Sequence, residues 1–222
     1  MHSWGLIKRQ QKLNHRIDSI KPQKRYKNRF NIKFESGDVF GISGDVLLKF
    51  NLSSGQELSG HLISKLESDE IHHKLKEKIL NLLSYRSRST KELEILLLRK
   101  GYESSAINKV LAELTSKKYL NDEEFAKSYA TYLIKVKMLG KIGVLNQFHK
   151  HEISSDVLEP IIDDLYDKYP PEFLIKKIVE KRSKTEKIDI KTNKRLINHL
   201  KRKGYTWNEI SMSIETHFSV DS

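Results

Sequence analysis

The chain has no cysteine in 222 residues, which excludes structural disulfides, thiolate-bound metals and a cysteine nucleophile. A reducing compartment permits that absence without requiring it. No apolar run approaches the roughly 18 residues of a membrane-spanning helix, and MHSWGLIKRQQKLNHR at the start lacks the apolar stretch of a signal peptide. A phosphate-gripping glycine loop and a Ser-His-Asp arrangement are also missing. These gaps lead us to expect a soluble, cytoplasmic protein that is not an enzyme and carries no cofactor. What is present, 37% hydrophobic residues, is enough for real cores in one large or two modest domains.

Acidic residues are scarce relative to basic ones, 29 against 41, for a formal net charge of +12. The excess is uneven. Residues 1 to 33 hold Lys8, Arg9, Lys12, Arg16, Lys21, Lys24, Arg25, Lys27, Arg29 and Lys33 against Asp18 alone, and a second block runs from Lys176 to Lys203 against Glu180, Glu186 and Asp189. A mixed solvated surface does not produce two such lopsided blocks, so they point to a polyanionic partner: nucleic acid or a nucleoprotein. Neither block is a clean amphipathic helix with an aromatic apolar face, which argues against a membrane surface.

From Tyr26 to Ile42 the pattern alternates, with Tyr26, Phe30, Ile32 and Phe34 on one face and Lys27, Arg29 and Lys33 on the other, before ESGD turns the chain into VFGI. This predicts a two-stranded hairpin with one basic face. Such a hairpin is marginal alone, so it must pack on the apolar segment DVLLKF or on the helix around His61 to Leu66. From about Ser68 the period is helical, and Ile71, Leu75, Ile79, Leu82 and Leu83 form one stripe that stops at YRSRS. Ser89-Thr90-Lys91-Glu92 then reads as a capping box, with Leu93, Leu96 and Leu97 as the buried face behind it and Gly101 as the stop. A third helix follows from about Ser104 to Lys117 on Ile107, Val110, Leu111 and Leu114.

This three-helix unit recurs. LLRKGY (97–102) and LKRKGY (200–205) start 103 positions apart (200 − 97), two periods of about 50. Between them, Asn121 to Glu124 cap a helix with Phe125, Tyr129, Leu133 and Val136 inward, Val144, Leu145 and Phe148 mark a second, and Ser154 starts a third carrying Val157, Leu158, Ile161 and Ile162. In this middle copy Glu152 stands where the glycine would, so that turn must be built differently. The last copy starts at Pro171 with Leu174, Ile175 and Ile178, and continues through Leu196, Leu200, Gly204 and Tyr205 to a second capping box, Thr206 to Glu209, before Ile210 and Ile214. The expected fold is mainly α: a tandem array of three three-helix modules (68–119, 120–169 and 170–222) forming an elongated curved protein, behind a basic N-terminal arm and β-hairpin extension (1–67).

Helix, glycine turn, helix is also the outline of a helix-turn-helix, so a sequence-specific DNA-binding regulator is the alternative function. The candidate recognition helices speak against it: SSAINKVLAELTSK offers no arginine, and TWNEISMSIETHF carries two glutamates and no lysine or arginine. The basic residues precede the glycines instead, at Arg99, Lys100, Lys201, Arg202 and Lys203, where they suit backbone or protein contacts or simply compensate helix dipoles. His72-His73 and His149-Lys150-His151 lack the helical spacing and carboxylate of a zinc site, and Asp163, Asp164 and Asp167 read as a solvated acidic face. No metal is expected.

YRSRSTKELEILLLRKGY (85–102) followed by YLNDEEFAKSY (119–129) resembles the signature of the RecX regulatory proteins, and RFNIKFESGDVFGISGDVLLKF and LSSGQEL resemble the N-terminal extension of some members. The likeness spans about residues 24 to 218. It departs at Glu152 and at Gly140-Lys141-Ile142-Gly143, where the family has a basic Gly-Pro-Arg-like phrase. The resemblance implies a non-enzymatic, monomeric modulator of homologous recombination, DNA repair and the SOS response. It would lie along a RecA filament on single-stranded DNA, limiting growth, strand exchange and coprotease activity, with only weak, electrostatic affinity for the bare strand. Arg86, Arg88, Ser89, Glu92 and Leu93 map onto the signature. Ser89 and Glu92 are explained as the cap and Leu93 as core, leaving Arg86 and Arg88 as candidate contacts beside Arg25, Lys27, Arg29 and the basic residues before the two glycines.

Overall fold

The computed structural model describes residues 15–183 and 190–218. Lys8, Arg9 and Lys12 of the first basic block, Glu186 and Asp189 within the second, and the side chain of Ile214 lie outside the described residues. The chain is mainly helical with a small N-terminal sheet, and it divides into two compact units: residues up to Arg86 with Leu97–Leu114, and Ser87–Leu96 with Thr115 onward.

In the first unit the hairpin is present as β2 (Arg29–Phe34) and β3 (Val39–Ser43), closed through a left-handed Gly37. It is part of a larger antiparallel sheet. β1 (His15–Pro22) pairs with β2, placing Ile20 opposite Ile32, and β4 (Glu57–Leu58) pairs with β1, for an order β3-β2-β1-β4. Both expected supports cover the sheet: Ile17, Ile32, Phe34, Ile42 and Leu58 share a core with Val46 of α1 (Gly44–Lys49) and with Ile63 and Leu66 of α2 (Gly60–Tyr85). Serines cap both helices, Ser43 Oγ accepting from the Val46 amide and Ser59 Oγ from that of Leu62. α2 runs unbroken for 26 residues, and His72 and Lys76 reach Glu113 of α4 (Ser104–Ser116) at 2.6 and 2.8 Å.

α3 (Thr90–Arg99) ends on LLRKGY. Gly101 is left-handed at φ 83°, and the Tyr102 amide bonds back to the Leu97 carbonyl at 3.3 Å, the Schellman closure. LKRKGY ends α9 (Ile190–Arg202) the same way, with Gly204 at φ 86° and the Tyr205 amide on the Leu200 carbonyl at 3.2 Å.

In the second unit α5 (Asp122–Lys135) starts on Asn121, whose Oδ1 accepts from the Glu123 and Glu124 amides. α6 (Lys141–Phe148) runs into a short 3-10 turn (His149–His151) that ends on Glu152. Glu152 is left-handed at φ 51°, so the position keeps the glycine-like backbone without glycine, and only the approach to it differs. α7 (Ser155–Lys168), α8 (Pro171–Ser183) and α10 (Trp207–Phe218) complete the unit around a core that includes Phe125, Leu133, Val144, Phe148, Ile162, Ile175, Leu196 and Ile210. Val136, expected inward, is the C-cap of α5 and 63% exposed; Ala130 and Ile134 are buried in its place. The Thr206 capping box is complete, with Glu209 Oε2 accepting from the Thr206 amide and Thr206 Oγ1 from the Glu209 amide.

The phrase Gly140-Lys141-Ile142-Gly143 has a packing reason. The Gly140 amide donates to the Lys203 carbonyl at 2.9 Å, and a Cβ on Gly143 would lie 2.2 Å from that same oxygen. Here the start of α6 and the end of α9 meet backbone to backbone.

Candidate nucleic-acid interface

The basic residues of the hairpin region do not form one surface. Arg29 turns inward: its guanidinium meets Glu70 of α2 at 2.8 Å, and the other oxygen of that fully buried carboxylate accepts from the Ser43 amide at 2.8 Å. This ion pair ties sheet to helix, so Arg29 has a structural duty. Lys33 pairs with Asp18 at 3.3 Å. Arg25 and Lys27 stay exposed, with no carboxylate partner among the described residues.

The segment carrying them is held at its end. Asn28 is left-handed at φ 57°, its carbonyl accepts from the Gly44 amide at 2.8 Å, and its side chain donates to Asp45 at 3.3 Å. His73 Nε2 donates to the same carboxyl at 2.9 Å, and these bonds, His73 first and Asn28 second, hold Asp45 below the usual carboxylate range. An open cleft of about 710 Å³ lies between this segment and α2. Arg25, Tyr26, Lys27, Lys78, Tyr85 and Tyr102 line it, with Glu77 as its acid.

Of the signature residues, Arg88, Ser89, Glu92 and Leu93 sit in the second unit, and Arg86 belongs to the first. Ser89 is fully buried, and its hydroxyl both accepts from the Glu92 amide at 3.2 Å and meets His151 Nδ1 at 2.7 Å. His151 is itself buried among Phe125, Tyr129 and Phe148, with ring centroids 4.8 to 6.0 Å away. Arg88 is mostly buried and pairs with Glu92 one turn on, so it too has structural work. Arg86 is exposed at the C-cap of α2.

Before the two glycines, Arg99 and Lys100 are exposed, as are Lys201 and Arg202, and Lys201 lies 5.2 Å over the Trp207 ring. Lys203 differs. Its Nζ donates to the Lys137 carbonyl at 2.5 Å, and burial first, then Lys137 and Lys181, push its pKa down. His199, one turn earlier, is pushed down by burial and then by Arg182, Lys203 and Arg202, which marks this helix end as strongly positive.

Among the described residues no group of His, Asp and Glu is placed to hold a metal, and no helix is long and apolar enough to cross a membrane. His72, His73 and His151 go separately to Glu113, Asp45 and Ser89. The sequence pattern alone could not reveal the inward turns of Arg29 and Lys203, whose partners lie 41 and 66 positions away.

Residues 76–114 match the profile of the first three-helix domain of RecX. Regulatory protein RecX of Bacillus licheniformis is 32% identical over 92% of this chain and 79% of its own length, and that of Bacillus subtilis is 30% identical over 90% and 76%. Two solved structures share the fold at 21% identity. One, of regulatory protein RecX, has a TM-score of 0.67 and covers 91% of this chain and all of its own; RecX from Lactobacillus salivarius scores 0.56 over 67% and 97%.

Proposed function

This chain belongs to the RecX family of regulatory proteins, and from that premise we propose that it is a non-catalytic modulator that binds the RecA filament on single-stranded DNA and restrains it. The observation that carries this reading is the 32% identity to a regulatory protein RecX across nine-tenths of the chain. The charge distribution supports it. Arg25 and Lys27 in the first unit, and Lys201 and Arg202 in the second, are exposed cations that suit a long, repetitive polyanion better than a small ligand. Inhibition then comes from occupying the filament and limiting its growth, strand exchange and coprotease activity, with no bond made or broken by this protein.

The test is RecA-catalysed strand exchange titrated with the protein, beside electron micrographs of the same reactions. Dose-dependent inhibition with shorter or sparser filaments is expected. Undiminished exchange at saturating protein, together with tight binding to one duplex sequence over random duplex, would replace this reading with that of a sequence-specific DNA-binding regulator.

A further inference from the structure

The cleft of the first unit contains more than positive charge. Two of its tyrosines project into solvent, Tyr26 at 63% and Tyr85 at 85% exposure, and neither has a hydrogen-bond partner among the described residues. Exposed aromatic rings scattered singly over a surface need no explanation. These two line one open cleft, on opposite walls: Tyr26 comes from the segment before β2 and Tyr85 from the last turn of α2. Arg25 and Lys27 flank Tyr26 in sequence, and Lys78 rises from α2 two turns before Tyr85, its Nζ 5.4 Å over the Tyr102 ring.

We infer that this cleft is a stacking platform for single-stranded DNA, in which the rings of Tyr26 and Tyr85 receive unpaired bases while Arg25, Lys27 and Lys78 hold the intervening phosphates. Aromatic faces interleaved with cations in an open groove are what sequence-tolerant recognition of a single strand requires, because every base offers a π-face and every linkage a charge. A duplex buries its base faces and would leave both rings unused. The cleft is also partly preorganised: Asn28 and Arg29, which follow the contact segment, are anchored to Gly44, Asp45 and Glu70, so little ordering remains to be done on binding.

Resting on the filament reading, the platform gives the chain its own grip on the strand, separate from any grip on protein. Its stacking contribution should survive salt, since stacking is not screened as phosphate contacts are.

The full-length protein is titrated by fluorescence anisotropy with an oligothymidylate and with an abasic strand of equal length, at low and moderate salt. The oligothymidylate should bind more tightly, with the gap persisting as salt rises. Tyr26→Ala and Tyr85→Ala should each cost at least roughly fivefold for the oligothymidylate and little for the abasic strand. Phenylalanine at both positions should restore binding, and Tyr119→Ala, an exposed tyrosine outside the cleft, should change nothing. Equal affinity of the wild type for the two strands overturns the platform, whatever the variants do. Alanine variants that hold the bare strand normally but lose RecA-coated DNA also overturn it, and assign the cleft to a protein surface. Failure of the wild type to inhibit strand exchange is a separate readout that bears on the filament reading alone.

Discussion

Replacing Arg29 and replacing its neighbours Arg25 and Lys27 should have opposite consequences, although all three are basic and lie within five residues. Arg29 neutralises a carboxylate that has no access to water. Arg29→Glu would set two carboxylates against each other in a buried site and should cost about 3 kcal/mol or more, read as a large fall in melting temperature. Arg25→Glu with Lys27→Glu should leave melting unchanged. It should also reduce the log–log salt slope for single-stranded DNA by roughly 0.7 for each phosphate that is no longer neutralised; an unchanged slope would remove both residues from the interface. Ser89 makes the same point at the signature. As a helix cap alone its loss would cost about 1 kcal/mol, but the hydroxyl also meets the buried imidazole of His151. Ser89→Ala should therefore cost at least about 2 kcal/mol. A double-mutant cycle with His151→Phe should show coupling; simple additivity would reduce Ser89 to its cap. The cap was legible in S-T-K-E because it is local. The histidine, 62 positions on, was not, and neither were the inward turns of Arg29 and Lys203: a cation's choice between solvent and a distant carboxylate or carbonyl is made by tertiary packing and leaves no periodic trace.

Helix ends were the most legible elements, since a cap or a left-handed stop is decided within four or five residues. Positions 101, 152 and 204, at intervals of 51 and 52 (152 − 101 and 204 − 152), are all left-handed, two of them glycine and one glutamate. Glu152→Gly should relieve the strain of an L-residue there, about 1–2 kcal/mol, against the extra chain entropy of glycine, about 0.5–1 kcal/mol. A net gain of roughly 0.5–1 kcal/mol is expected in chemical denaturation, and a net loss would show that the ion pair of Glu152 with Lys91 outweighs the backbone. Gly143 should behave in the opposite sense. A Cβ there collides with the Lys203 backbone, which has no flexible end to yield, so Gly143→Ala should cost about 2–3 kcal/mol. The hairpin was legible from its alternation and turn. Strands β1 and β4 were not: HRIDSIKP reads as charged arm, and β4 is two residues long, so each is a strand only because a partner lies beside it.

At the scale of the whole molecule, the exposed cations before the two Schellman glycines fall in different compact units, Arg99 and Lys100 in the first and Lys201 and Arg202 in the second. Both sets end helices that close identically, so compensation of the helix dipole accounts for their presence and would make them functionally silent. If each instead meets a repeating polyanionic filament, binding is multivalent: each engagement is weak alone, and the chain connecting the units makes the second nearly intramolecular. The two accounts separate under charge reversal, provided Lys203 is left intact, because its hydrogen bond to the Lys137 carbonyl would confound function with folding. Arg99→Glu/Lys100→Glu and Lys201→Glu/Arg202→Glu should each raise the concentration needed to inhibit RecA strand exchange by about tenfold, with circular dichroism and melting close to the parent. The four-fold variant should lose inhibition almost entirely, because no second site remains to recapture a protein that lets go at the first. Dipole compensation predicts a small drop in melting temperature for each pair and full inhibition by all three variants, and that outcome would remove Arg99, Lys100, Lys201 and Arg202 from the filament contacts.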